Sequence, residues 1–170
     1  MIVAVCILFL LFGFVVFFGA PYVPSKKSEL RRAFDELYPL GPNDTLVDIG
    51  SGDGIVLRIA AERGARAVGY EINPVLVLIS KWLSRSTATI TTHFASFWRA
   101  QLPEETTVVY VFGDSRDIRR MAEKVGEAAN ASGRTIAFIS YAIAVPDLEP
   151  KNKVGAHFLY EITPLQTRGA

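Results

Sequence analysis

The sequence is poor in the side chains that form disulfides or bind metal ions. Its 170 residues include one cysteine and two histidines. Cys6 lies in an uninterrupted apolar segment, so the rest of the chain has neither a disulfide framework nor a thiol nucleophile. His93 and His157 are far apart and have no neighbouring Cys or His, so we predict structural roles for both and no metal site.

An excess of charge of one sign is also lacking. The formal net charge is +1, and no long basic run occurs. Proteins that bind nucleic acids usually carry a strongly basic face or stripe. We therefore predict no nucleic-acid partner.

The first twenty residues lack charged side chains altogether. Residues 1–20 read MIVAVCILFLLFGFVVFFGA, and about twenty apolar residues in a helix cover the ~30 Å hydrocarbon layer of a bilayer. A cleaved signal peptide is the alternative, but the segment has no basic start, and Phe18 stands where a small residue would precede the cleavage site. We predict a transmembrane anchor over residues 1–20 and one domain over residues 21–170.

Basic residues follow this segment and none precede it. Lys26, Lys27, Arg31 and Arg32 come directly after the predicted anchor. Basic flanks favour the cytoplasmic side of a membrane. They also fit the solvated face of an amphipathic helix over residues 25–37. The sequence predicts a single-pass membrane protein whose domain faces the cytoplasm.

Beyond residue 40, apolar strand patterns alternate with helical patterns. We predict strands over residues 45–49, 66–72, 88–94, 106–112, 134–143 and 157–163, and helices over residues 55–63, from Asn73 onward, and over residues 118–131. This order is typical of an α/β fold with a mostly parallel sheet and helices on both faces. Residues 95–105 are too short, and too interrupted by Pro103, for a crossover helix. Residues 147–155 leave room for one brief strand, so we predict an abridged sheet edge.

A glycine-rich loop follows the first strand in LVDIGSGDG, residues 46–54. Ligands of such sheets bind beyond the carboxyl ends of the strands. The loop is not the dinucleotide fingerprint, because its third glycine is Gly54 and Ile55 stands in the fingerprint position. Asp48 and Asp53 would repel a phosphate but attract a cation, such as the sulfonium and ammonium of S-adenosylmethionine. A tight turn without a ligand is the alternative.

An acidic residue ends the second strand in GYEIN. Glu71 lies where a carboxylate accepts hydrogen bonds from both ribose hydroxyls of a nucleotide-like ligand. A solvated strand end is the alternative. We expect the Glu71 side chain to project into a solvated cleft, so that its removal weakens ligand binding and changes the fold little.

Four motifs together resemble a known family. PYVPS, LVDIGSGDG, AAERGARAVGYEINPVLV and YAIAVPDLEP look like the small membrane-anchored class I methyltransferases related to the mitochondrial protein-lysine methyltransferases of the ATP synthase c-subunit and the adenine nucleotide translocase. The resemblance implies a Rossmann-like methyltransferase fold with S-adenosyl-L-methionine as cofactor. It implies methionine contacts from Asp48, Gly50, Ser51, Gly52, Asp53 and Gly54, and ribose and adenine contacts from Glu71, Ile72 and Asn73. Tyr22 would close over the cofactor, or alternatively mark the membrane interface.

The sequence departs from the family pattern at three places. Ile55 stands where the relatives have Arg, with Arg58 one turn later, and after the third strand only Ser96 is available to bind the adenine amino group. FGDSRD replaces an apolar stretch after the fourth strand. In that stretch Asp114 is the candidate base that takes a proton from the attacking amine, or alternatively a cap of the following helix.

Together these features lead to one functional hypothesis and two alternatives. We predict a membrane-anchored protein-lysine N-methyltransferase that acts on a membrane protein, because tethering raises the local concentration of targets in the same bilayer. Methylation of a lipid or quinone is the second enzymatic possibility. A non-catalytic, cofactor-binding membrane module is the third, since FGDSRD and the missing acid after the third strand both affect the site.

Overall fold

The computed structural model describes residues 27–112 and 116–165. Its helices are α1 (Lys27–Arg32), α2 (Ile55–Ala61), α3 (Pro74–Leu83) and α4 (Ile118–Ser132). Its strands are β1 (Thr45–Ile49), β2 (Arg66–Glu71), β3 (Ile90–Phe94), β4 (Val108–Phe112), β5 (Ile136–Tyr141), β6 (Asn152–Val154) and β7 (His157–Ile162). The predicted anchor, Tyr22 and Asp114 lie outside the described residues, and within them no helix is long and apolar enough to span a bilayer.

The strands form one sheet in the order β3-β2-β1-β4-β5-β7-β6. β1 pairs in parallel with β2 and with β4, β3 extends the parallel part beyond β2, and β5 extends it beyond β4. β7 runs antiparallel to both β5 and β6. The predictions of a mostly parallel α/β sheet and of an abridged edge are confirmed, since β6 has only three residues.

Alternate residues of the central strands face two hydrophobic layers. On one face Leu46 and Tyr110 pack with apolar residues of α1 and α2. On the opposite face Val47 and Val109 pack with apolar residues of α4. α3 lies over β2 and β3. Helices therefore cover both faces, as the strand and helix alternation predicted.

The connection from β3 to β4 contains a single 3₁₀ turn, Phe97–Arg99, in place of a crossover helix. Two aromatic rings of this turn lie beside α4. The Lys124 ammonium lies 5.4 Å from the Phe97 ring centroid, and the Arg120 guanidinium lies 4.7 Å from that of Trp98. The buried Phe97 ring covers part of the sheet face that a crossover helix would otherwise cover.

The helix predicted over residues 25–37 is not uniform. After α1 the chain widens into a turn of π-helix, Ala33–Leu37, which ends with the Tyr38 amide donating to the Ala33 carbonyl at 3.0 Å. Phe34 and Leu37 of this turn are buried against the sheet. The wider turn therefore keeps the apolar face of the segment on the core.

Both histidines take part in aromatic packing. His157 is buried, with its Nε2 atom 3.2 Å from the Tyr110 hydroxyl, and burial lowers its pKa. The His93 ring stacks on the Tyr70 ring at a centroid distance of 5.5 Å. Within residues 27–112 and 116–165, no group of three or more Cys, His, Asp or Glu side chains is placed to hold a metal ion.

Candidate cofactor site

The glycine-rich loop folds over the carboxyl end of β2. Gly50, Gly52 and Gly54 have φ angles of 73°, 54° and 81°, in the left-handed region that other residues rarely adopt. The amides of Gly50 and Ser51 both donate to the Tyr70 carbonyl, at 2.9 and 3.1 Å. The alternate glycines therefore allow the loop to turn sharply and to lie against the neighbouring strand.

Glu71 is buried beneath this loop. Its side chain is only 8% exposed. One carboxylate oxygen accepts a hydrogen bond from the Gly52 amide at 2.9 Å, and the other accepts one from the Asn73 amide at 2.7 Å. The expectation that Glu71 projects into a solvated cleft is wrong, because the carboxylate connects the loop after β1 to the start of α3. Each oxygen retains a second lone pair that can accept a ribose hydroxyl.

Asn73 begins α3 as its N-cap. Its side-chain oxygen accepts hydrogen bonds from the Val75 and Leu76 amides, at 3.0 and 3.4 Å, and Pro74 follows in the first turn. The predicted cap is confirmed. Ile72, which precedes it, is exposed at the end of β2, where its side chain is accessible to an adenine ring.

Ser51 contributes to the loop differently from its neighbours. Its hydroxyl oxygen is buried and has no hydrogen-bond partner within the described part of the chain. A Cβ atom on Gly69 would lie 2.5 Å from this oxygen, so the Ser51 side chain packs directly on β2. Contact of Ser51 with a cofactor would therefore be made by its backbone.

Asp48 is almost completely buried at the end of β1, with 3% exposure. Burial raises its pKa well above the usual range, and the negative charges of Glu71 and Asp53 raise it further. A nearby cation favours the ionised form and opposes these effects. The three carboxyl groups therefore fit a positively charged ligand, as the sulfonium and ammonium of S-adenosylmethionine would provide.

Asp53 and Arg58 form a pair within the loop and the first turns of α2. The Asp53 carboxylate accepts hydrogen bonds from the Ile55 amide at 3.1 Å and from Arg58 at 3.3 Å. Arg58 also donates to the Asp53 carbonyl at 2.6 Å. Arg58, one turn after Ile55, therefore brings a guanidinium to the glycine loop.

Ser96 lies just beyond the carboxyl end of β3, at the same end of the strands as the glycine loop and Glu71. Phe94 pairs with Glu71 in the register of β2 and β3, and Ser96 follows two residues later at the start of the 3₁₀ turn. The structure thus brings three predicted groups to one edge, namely residues 50–54, residues 71–73 and Ser96.

A second group at this edge was not anticipated from the sequence. Val111 pairs with Ile49, so Phe112 lies beside the first residue of the glycine loop. Phe112 is 38% exposed, and its ring centroid is 5.1 Å from that of Tyr141 at the end of β5. The Tyr141 hydroxyl donates to the Glu29 carboxylate of α1 at 2.9 Å. Only the three-dimensional fold joins these residues, since 112 positions separate Glu29 from Tyr141.

Ala142, which follows Tyr141, has a φ angle of 67°. Left-handed backbone at a non-glycine residue costs about 1–2 kcal/mol, and such strain is common at functional sites. The Ala142 amide donates to the Ala156 carbonyl at 2.8 Å, which helps to hold this turn. The carboxyl ends of β4 and β5 therefore form an ordered surface beside the glycine loop.

Gly54→Ala is expected to destabilise the fold by about 2–4 kcal/mol. A Cβ atom at Gly54 would lie 2.3 Å from the Ser80 hydroxyl oxygen, which is hydrogen-bonded to Thr92 at 2.9 Å, and the left-handed backbone adds strain. Gly133→Ala is the matched control, because Gly133 has a φ angle of 66° but nothing within 4 Å of its added Cβ. Urea unfolding measures both. Equal decreases in the free energy of unfolding of the two variants would show that the close approach of Gly54 to Ser80 does not affect stability.

The sequence is similar to those of two kinds of protein-lysine methyltransferase. It is 28% identical over 154 residues to the ATP synthase c-subunit lysine N-methyltransferase of Rattus norvegicus, covering 88% of this chain and 69% of that protein. The Xenopus laevis enzyme of the same name is 32% identical over 69% of this chain and 52% of its own length. The adenine nucleotide translocase lysine N-methyltransferase of Mus musculus is 33% identical over 48% of this chain and 37% of that protein. No family model matches the sequence.

Solved structures share the fold. An RNA methyltransferase from Salinibacter ruber, in complex with S-adenosyl-L-homocysteine, superposes with a TM-score of 0.75 at 22% identity, covering 86% of this chain and 98% of that one. A geranyl diphosphate methyltransferase in complex with S-adenosylmethionine has a TM-score of 0.54 at 17% identity, covering 67% of this chain and 48% of that one. Together with the lysine methyltransferase relatives, these matches agree with two predictions, methyltransferase as the enzyme class and S-adenosylmethionine as the cofactor. The chain has a Rossmann-like methyltransferase fold, and its sequence is similar to those of protein-lysine methyltransferases.

Proposed function

We propose that this protein is an S-adenosylmethionine-dependent protein-lysine N-methyltransferase, held at a membrane by residues 1–20 with its domain on the cytoplasmic side, that methylates a membrane protein. The observation that carries the proposal is Glu71, whose carboxylate lies between the glycine loop and the start of α3. The buried Asp48 lies next to it and suits a cationic ligand. The relatives named above are lysine methyltransferases of the ATP synthase c-subunit and of the adenine nucleotide translocase.

The residues of the site divide into two groups by position. Glu71, Ile72 and Asn73 would hold the ribose and adenine, and Asp48 with the loop of residues 50–54 would hold the methionine part. S-adenosylmethionine, when bound, supplies a methyl group that its sulfonium activates. The chain itself then has to orient the acceptor amine and remove its proton. Asp114, two residues after Phe112 in the sequence, is our candidate for that proton transfer.

The membrane part of the proposal rests on the sequence. Residues 1–20 are long and apolar enough to cross a bilayer, and the four basic residues that follow favour the cytoplasmic side. A tethered enzyme meets targets in the same bilayer at a high effective concentration. This argument favours a membrane protein as the acceptor.

Labelling of isolated membranes tests the proposal. The full chain is incubated with membranes of the source cell and S-adenosylmethionine carrying a tritiated methyl group. We expect label in a protein band that survives delipidation and that yields methyl-lysine on acid hydrolysis. The matched control is the Asp48→Asn variant, which retains the side-chain shape at the site but lacks the carboxylate.

The outcomes separate the possible functions. Label that leaves with the lipids in organic solvent would identify a lipid or quinone methyltransferase instead. Cofactor binding by calorimetry without transfer to either fraction would identify a non-catalytic module. Label that is equally strong with Asp48→Asn would contradict the placement of Asp48 at the cofactor, whereas label that is equally strong in membranes without the added chain would show that another enzyme in the membranes is responsible.

A further inference from the structure

Helix α3 presents an apolar stripe to solvent. Val75, Leu78, Ile79 and Trp82 recur at the spacing of one helix face, and all four are exposed. Leu78 and Trp82 are 67% and 63% exposed. The opposite face carries Val77 and Ser80, which are buried towards the sheet. The largest apolar side chains of this helix are therefore directed outward, away from the core.

The charges around the stripe have one sign. Lys81 lies on the helix and Arg85 just beyond it, and residues 72–88 contain no acidic residue. The Arg85 guanidinium lies 5.0 Å from the Trp82 ring centroid and donates to the Trp82 carbonyl at 2.8 Å. Apolar side chains with a Trp and flanking basic residues are typical of helices that lie in the interface of a membrane with anionic lipids.

Exposed apolar side chains at four positions of one helix differ from the scattered apolar residues that every protein surface has. A protein partner would also cover them, but the charges argue for lipid. The basic residues at the end of the helix match the negative potential of the cytoplasmic leaflet, and long basic side chains beside an apolar face can keep their charges at headgroup level.

We propose that α3 lies on the bilayer, with Val75, Leu78, Ile79 and Trp82 inserted among the acyl chains and Lys81 and Arg85 at the anionic headgroups. This contact is separate from the predicted anchor and involves no step of methyl transfer. It fixes how the domain is oriented. α3 begins at Asn73, beside Glu71, so the contact holds the cofactor edge of the sheet next to the membrane surface.

The two tryptophans of the chain allow a direct test. Trp82 belongs to the stripe, whereas Trp98 lies in the 3₁₀ turn beside α4, over the opposite face of the sheet. The full-length Trp98→Phe variant retains only Trp82, and Trp82→Phe retains only Trp98. Each is reconstituted into vesicles of phosphatidylcholine and phosphatidylglycerol, with or without bromine on the acyl chains as a short-range quencher of tryptophan fluorescence.

We expect brominated lipid to reduce the fluorescence of Trp82 to about half or less and to leave that of Trp98 nearly unchanged. Leu78→Asp in the Trp98→Phe background should restore the emission of Trp82, because a charge at the centre of the stripe opposes insertion. Equal quenching of the two tryptophans, or none of Trp82, would overturn the proposal. Absence of Trp82 quenching would indicate that residues 1–20 or a protein partner covers the stripe instead.

Discussion

Asp48→Asn is expected to raise the melting temperature of the cofactor-free protein and to weaken its binding of S-adenosylmethionine. The carboxyl group is buried beside two other carboxylates, and its pKa is raised by burial and by their charges. Asparagine has nearly the same shape and no charge. The substitution should therefore add about 1–2 kcal/mol to the free energy of unfolding near neutral pH. For a domain of this size, each kcal/mol raises the melting temperature by ~2–4 °C.

The sign of the pH dependence follows from the raised pKa. The folded protein retains the Asp48 proton at pH values where the unfolded chain has lost it, so the folded state binds more protons. The contribution of Asp48 to stability is greatest below its unfolded value of 3.8 and declines as the pH rises towards the folded pKa. The gain from Asp48→Asn should therefore be larger at pH 8 than at pH 4.5. Thermal melts at both pH values check this.

Ligand binding should respond in the opposite direction. The carboxylate would contribute a charge-assisted contact to the ligand, worth about 1.5–3 kcal/mol, so Asp48→Asn should weaken affinity about ten- to a hundredfold. Calorimetry with S-adenosylmethionine measures this. A variant that is stabilised and binds normally would remove Asp48 from the cofactor site. One that is destabilised would contradict the raised pKa.

Glu71 should behave differently, because its removal is expected to reduce both stability and binding. Glu71→Ala leaves the amides of Gly52 and Asn73 buried without acceptors, at about 1–3 kcal/mol each. The free energy of unfolding should therefore fall by about 2–6 kcal/mol. Loss of two charge-assisted contacts to the ribose should weaken S-adenosylmethionine binding about thirty- to a thousandfold.

Glu71→Gln distinguishes hydrogen bonding from charge. The two amides approach different oxygens of the carboxylate, whereas glutamine offers one oxygen and one amino group. One backbone donor would then face another donor, so we expect Glu71→Gln to lose stability almost as Glu71→Ala does. The matched control is Glu62→Gln, which removes an exposed carboxylate paired with Arg31 at 2.9 Å and should cost below about 1 kcal/mol. Equal melting temperatures of the wild type and Glu71→Gln would contradict the buried role.

Opposite stability changes at Asp48 and Glu71 would be informative because both residues are acidic and buried at the same site. The difference arises from their partners. Glu71 accepts two backbone hydrogen bonds in the folded protein, whereas Asp48 is opposed by burial and by neighbouring negative charge. Glu71 therefore stabilises the glycine loop that lies over it. Burial of Asp48 lowers the stability of the ligand-free protein, and a cationic ligand would offset that loss.

Much of the fold could be predicted from local sequence patterns. β1, β4 and β5 read as mostly apolar runs, and the structure places each predicted strand within a few residues of its predicted bounds. Pro103 indicated correctly that no crossover helix would form before β4. The π-helical turn of residues 33–37 was not predicted, because its sequence fits an ordinary helix and only packing against the sheet distinguishes the two.

The site was less predictable than the fold. The glycine spacing and the acid at the end of β2 predicted a ligand-binding loop with Glu71 beside it, because their chemistry depends on residues close in sequence. The burial of Glu71 could not be predicted, since it depends on the direction in which the Gly52 amide points. The grouping of Glu29, Phe112 and Tyr141 depends on the register of β4 with β1 and β5 and on the position of α1, which no local pattern encodes.

The order of the strands also bears on how the chain folds during synthesis. Among the described residues β1 is the strand that is made first, yet it lies in the middle of the sheet between β2 and β4. Its pairing with β4 joins Leu46 to Val108, and at ~5–20 residues per second a ribosome needs about 3–12 s to make the intervening chain. During that interval an apolar strand edge remains unpaired and prone to aggregation. A chaperone or a nearby surface that shields β1 during those seconds should therefore increase the yield of folded protein.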